Sequence, residues 1–154
     1  MKTDLSNATF IIPIRIESDD RLRNVVTSIA FLVENFDTNI IVKEVDKESV
    51  FQTEVLPIFE EILEVDLWKN FHHIFERSEE PLFHRQRVLN EMIAECETDI
   101  VVNYDCDVIL PKESYILAYK GIMDNIYDVV YPYGQGMFQK QVAATDITVS
   151  KFLE

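Results

Sequence analysis

The chain has 154 residues, 47% of them hydrophobic, and carries a formal charge of −14 at pH 7. That length suits one domain with a real core. The charge argues against a nucleic-acid binder, which needs clustered Lys and Arg, and equally against docking on anionic membrane. No apolar run reaches the length of a membrane span, and MKTDLSNATF has no secretory apolar region. Two cysteines, Cys96 and Cys106, make no disulfide framework, so a reducing, cytoplasmic setting is expected.

In chain order, ATFIIPIRI is a short β-branched run that predicts a buried strand over 9–15. Ser18, Asp19 and Asp20 then precede Leu22, Val25, Val26, Ile29, Leu32 and Val33 at helical spacing, an N-cap with an acidic first turn. NIIVKEV predicts a strand over 39–45, and a helix follows over 53–64, with Pro57 tolerable only near its first turn. FHHIFE predicts a strand over 71–76, and 81–96 a helix that turns Val88, Leu89, Met92, Ile93 and Cys96 inward. DIVVNY gives a fourth strand over 99–104, then come a helix over 112–126 and a fifth strand, DVVYP, over 128–132.

Strands alternating with helices predict βαβ units, hence an α/β fold with a mostly parallel sheet and helices on both faces. Ligands of such sheets bind beyond the carboxyl ends of the strands, beside a switch in strand order. Arg15, Glu44 with Asp46, Arg77, and Asp105 with Asp107 all fall at such ends. The only glycines, at 121, 134 and 136, do not follow the first, second or fourth strand. A dinucleotide fold or P-loop needs glycine there to bring backbone N–H groups to phosphate. A bound nucleoside diphosphate would therefore need its charge screened by a divalent cation on carboxylate oxygen. Asp105-Cys106-Asp107, at the end of an apolar strand, suits Mg²⁺ or Mn²⁺, or a ribose hydroxyl.

Three blocks, FIIPIRIESDDRLRNVVTSI, FHRQRVLNEMI and DIVVNYDCDVILP, occur in that order over roughly residues 9–131. Together they resemble the nucleotide-sugar-binding half of GT-A glycosyltransferases, the family-2-like and β-1,4-galactosyltransferase-like groups. The resemblance implies a Rossmann-like GT-A sheet of strand order 3-2-1-4 and transfer of a sugar, from a UDP-sugar above others, to a saccharide or glycoconjugate acceptor. It implies that Pro13, Ile14 and Arg15 lie against the nucleotide, and that Glu44 accepts a hydrogen bond from the base. It also implies that Phe83 and Arg85 border base and diphosphate, that Asp105 faces the ribose or metal, and that Cys106 lies in the nucleotide-sugar site. Asp107 would be the firmer ligand to Mn²⁺ or Mg²⁺. His84 departs from the family's Asn, and Glu91-Met92 from its small pair. Glu44 is one methylene longer than the commoner Asp, which leaves the base preference open.

Plainer structural roles stand beside these. Arg15 would neutralise nearby acids, Asn90 would bond within its helix, and Cys106 would be a spacer. His72 and His73 point to opposite faces of a strand and cannot share a metal unaided. Tyr131, Tyr133, Met137 and Phe138 would be packing or an acceptor border. A haloacid-dehalogenase-type phosphohydrolase, with Asp105 as nucleophile and Asp107 as general acid, is a weaker alternative, because its D-x-D normally lies on an early strand. A nucleotide-binding module without chemistry is another. The segment 132–154 is short for an acceptor region, and its acids are Asp146 and Glu154, so Asp146 is a weak candidate for catalytic base. A truncated chain, or one completed by a homo-oligomeric partner, is the expectation.

Overall fold

The computed structural model describes residues 1–63, 66 and 69–134. The run TFIIPI forms the second half of β1 (Thr3–Ile14), and its alternation decides what each side of the sheet buries. Phe10, Ile12 and Ile14 enter the larger core, and Ile11 enters the smaller one on the other face. Next comes α1 (Asp19–Asn35), started by Ser18, whose Oγ accepts from the Arg21 amide at 3.3 Å. The chain then forms β2 (Phe36–Asp46), a π-helical turn (Phe51–Val55) and α2 (Leu56–Ile62). It continues through β3 (Phe71–Arg77), α3 (Arg85–Ala94), β4 (Ile100–Asn103) and α4 (Lys112–Met123).

The four strands lie in the order β3-β2-β1-β4, and every neighbouring pair is parallel. From β1 the chain winds outward to β2 and β3, then crosses back to place β4 on the other side of β1. The order therefore reverses between β1 and β4, which puts the switch-point crevice at their carboxyl ends. Residues of α1 and α2, with Tyr115 of α4, fill the larger core. On the opposite face, Val88, Leu89 and Met92 of α3 close over Ile11, Ile41 and Val45. Helices thus cover both faces, as the βαβ reading expects.

Charge also fastens α3 to the sheet. Lys43 of β2 contacts Glu76 of β3 at 3.2 Å and also pairs with Glu91 of α3. Arg87 reaches the same two acids, each at 2.7 Å. The Arg87 hydrogen bond holds Glu76 below the ordinary glutamate range, and Lys43 does the same for Glu91. Folded-state values depressed in this way stabilise fully above the ordinary pKa of 4.5 and are lost as pH falls through the folded ones. We expect the urea midpoint to fall below about pH 4.5. The fall should be shallower in Glu76→Gln/Glu91→Gln, and an unchanged acid slope there would remove the network from this role.

Several boundaries differ from expectation. β1 starts at Thr3, because Thr3 and Asp4 pair with Phe36 and Asp37 ahead of a bulge. The second helix is entered earlier, through the turn at Phe51, and α3 starts later, at Arg85. The fifth strand expected at 128–132 does not form. After α4, Asn125 adopts φ 53°, and the amides of Ile126 and Tyr127 both turn back to the Gly121 carbonyl. The Tyr127 ring then packs on Gly121, where an added Cβ would lie 2.9 Å from it. The segment is drawn onto α4.

Candidate functional site at the sheet switch point

Arg15 directly follows β1 and shares the side of the sheet that Ile11 faces. Only 7% of it is exposed. Its Nε donates to the Val45 carbonyl at 2.8 Å and its Nη1 to the Pro81 carbonyl at 3.1 Å. The guanidinium lies 5.5 Å from the centre of the Phe83 ring, in cation–π range. Its Nη2 is buried without a hydrogen-bond partner among the described residues. No carboxylate among the described residues forms an ion pair with it.

Across the switch point, β4 ends at Asn103, and the Tyr104 amide still bonds the Ile11 carbonyl of β1 at 3.2 Å. The D-x-D turn begins there and is closed by a 3.3 Å bond from the Val108 amide to the Asp105 carbonyl. Ser28 of α1 donates to the Cys106 carbonyl at 2.6 Å. Tyr104 Oη donates to the Val108 carbonyl at 2.7 Å, and the Leu110 amide donates to Tyr115 Oη at 3.1 Å. The turn is therefore braced from α1 and α4. Asp105 and Asp107 are exposed, while Cys106 between them packs against the larger core. Burial, then the neighbouring Asp107, pushes the Cys106 thiol up to about 11. It stays a thiol near neutrality.

The segment before α3 joins these two ends. Phe83 rests on the smaller core and under Arg15. Two residues later, Arg85 Nη2 donates to Asp105 Oδ1 and, at 3.1 Å, to Asn103 Oδ1. Arg15, Phe83, Arg85 and Asp105 thus form a linked chain of contacts. His84, at the N-cap of α3, makes no capping bond through its side chain. Asn90 bonds within its helix, accepting from Gln86 at 3.2 Å.

Two expected ligand contacts are corrected by burial. Glu44 is 0% exposed, with the amides of Val50 and Phe51 on Oε1 and Ser49 Oγ on Oε2. His73 Nε2 lies 3.3 Å from Oε2 as an electrostatic contact, without hydrogen-bond alignment. A carboxylate so occupied offers no acceptor to a base; it caps the helical turn after β2. Ile14 belongs to the larger core, so its side chain faces away from Arg15. Pro13, half-buried opposite Lys43, remains on the Arg15 side. At the neighbouring strand ends, Arg77 pairs with Glu79 at 3.6 Å and Asp46 accepts from the Lys47 amide. Asp146, Glu154, Met137 and Phe138 lie outside the described residues.

Asp105 and Asp107 offer hard oxygen donors suited to Mg²⁺ or Mn²⁺. Among the described residues, no three His, Cys, Asp or Glu converge on one point. The two aspartates would supply part of a coordination shell, with water and phosphate oxygens completing it. Asn103, Ser28, Tyr104 and Tyr115 are site-supporting residues that the sequence did not single out. Tyr104 alone carried a signal, being an aromatic that alternates inward just before Asp105.

The fold and site define a doubly wound, Rossmann-like α/β domain with cationic and acidic groups gathered at its switch point. No family model matches the chain, and no curated protein matches it. No described helix is long and apolar enough to cross a membrane.

Proposed function

We propose that the chain binds a nucleoside diphosphate sugar, a UDP-sugar above others, between the ends of β1 and β4, and serves as the donor side of a glycosyltransferase. The observation that carries this reading is Arg15: a buried guanidinium with an unpartnered Nη2 at the switch-point crevice. Such a group is costly unless an anion completes it. A diphosphate matches that requirement, and the D-x-D turn gives the accompanying cation its oxygen donors. A bound Mg²⁺ or Mn²⁺ would supply Lewis-acid stabilisation of the departing diphosphate. Arg15 and Arg85 would hold phosphate oxygens, Phe83 would border the base, and Asp105 and Asp107 would orient the cation. The acceptor is a saccharide or glycoconjugate.

Calorimetric titration of UDP tests the reading. Affinity should be at least about tenfold higher with Mn²⁺ than with chelator, since the acidic surroundings otherwise repel diphosphate. Asp107→Asn should remove most of that difference, whereas Asp4→Asn at the far end of β1 should not. Equal UDP affinity with and without metal would overturn the role of the aspartates. Release of UDP from UDP-sugars distinguishes transfer from binding alone, and turnover of p-nitrophenyl phosphate would favour a phosphohydrolase.

A further inference from the structure

The geometry points to Arg85 as an internal counter-ion that couples cation binding to diphosphate binding, an inference that rests on the nucleotide reading above. Asp105 Oδ1 already accepts from the Arg85 guanidinium. A bare divalent cation approaching Asp105 must either displace that guanidinium from Oδ1 or bind Oδ2, and in both cases it sits beside the Arg85 positive charge. A cation arriving with a diphosphate meets a different balance. The phosphate oxygens give Arg85 a new, charge-matched acceptor as Asp105 turns to the metal, so each charge keeps a partner.

Three features suit Arg85 to this exchange. Its bond to Asn103 Oδ1 does not involve Asp105, so the side chain stays tethered at the strand end while the carboxylate changes partner. The pair is accessible, with side chains 41% and 65% exposed, so the contact can open without unpacking the core. Two other arginines on this side of the sheet are committed elsewhere. Arg87 is held by Glu76 and Glu91, and Arg15 is fixed by two backbone carbonyls. Arg15 also supplies independent support for an anion here: its buried, unpartnered Nη2 belongs to a guanidinium stacked on Phe83, two residues before Arg85. By linkage, each ligand raises the affinity for the other by the same factor.

The test is Mn²⁺ binding to the full chain, read from the electron paramagnetic resonance of free Mn²⁺, with and without UDP. Exposed ion pairs are weak, so Arg85→Gln should bind Mn²⁺ alone tighter by up to about fivefold. In the same variant, the factor by which UDP enhances Mn²⁺ binding should fall at least about fivefold, because the guanidinium no longer joins the phosphate. Arg85→Lys, which keeps the charge but not the planar fork, should lie between the two. Circular dichroism and urea midpoints near wild type would confirm that both variants fold. If Arg85→Gln leaves Mn²⁺-only affinity unchanged or weaker while Asp107→Asn abolishes it, the counter-ion role is wrong and the nucleotide reading stands. If the wild-type chain binds neither Mn²⁺ nor UDP, both are wrong.

Discussion

Glu44→Ala should lower stability by about 3–5 kcal/mol, read as a fall in the urea midpoint at pH 7. The side chain is fully enclosed, yet it carries the charge that starts the next helical segment. Its Oε1 accepts from the amides of Val50 at 2.9 Å and Phe51 at 3.1 Å, and no side chain at Val50 caps that turn. Phe51 is itself fully buried, with its ring stacked 4.4 Å from His73. Truncation to Ala removes every acceptor at once and leaves amides facing an apolar cavity. Glu44→Gln keeps the shape and one acceptor, so about 1–2 kcal/mol is expected. The pH dependence separates charge from shape. Burial opposes ionisation, but the His73 contact and the bonds from Ser49 and the Phe51 amide outweigh it and hold the carboxyl below its ordinary 4.5. Its stabilisation is therefore complete above that value and lost as pH falls through the folded one. Glu44→Gln should lose this part of the acid slope. A cost under about 1 kcal/mol for Glu44→Ala would mean a solvated carboxylate, and would return Glu44 to the ligand.

Glu44 also shows what the sequence made legible. NIIVKEV announced a strand through its β-branched residues, and the strand formed. The same alternation put Glu44 in step with Ile40 and Val42, both buried in the larger core. Period-2 parity thus pointed the carboxylate inward, and likewise turned Ile14 into the larger core while leaving Arg15 outside it. What parity could not supply is the partner. The amides of Val50 and Phe51 reach Glu44 only once the turn after β2 has folded. The strand expected at 128–132 fails for a related reason: Val and Tyr fit a pleated surface, but a strand also needs a ladder beside it. Gly121 instead holds Ile126 and Tyr127, and Val129 and Tyr131 remain 70% and 75% exposed. The parallel sheet and the clustering of polar groups at strand ends were legible because apolar runs separated by helices predict βαβ units, whereas the strand order entered only as what the family resemblance implied. The bracing of the D-x-D turn by Ser28 and Tyr115 was not legible, because those contacts span long stretches of chain.

Arg15→Gln should weaken UDP binding in the presence of Mn²⁺ by about 10- to 150-fold, the range for loss of a hydrogen bond to a charged group. Affinity for Mn²⁺ alone should change little, because Arg15 contacts neither aspartate. That split distinguishes it from Asp107→Asn, which should remove the metal dependence itself. Arg15→Lys should not rescue binding. The native side chain spends Nε and Nη1 on the Val45 and Pro81 carbonyls and still presents Nη2, a geometry that requires the planar fork. An ammonium that satisfies the carbonyls is drawn away from the phosphate, and one that reaches the phosphate leaves the carbonyls unpaired. The urea midpoint provides a second readout. Removing a buried charge without a carboxylate partner relieves a cost, while losing its two carbonyl bonds imposes one, so stability should shift by no more than about 1 kcal/mol. A large loss of UDP affinity in a chain that folds as well as before would mark Arg15 as a ligand contact. A UDP affinity within about twofold of wild type, judged against the same range, would make it a brace between β2 and the Pro81–Phe83 segment, and the nucleotide reading would lose the observation that carries it.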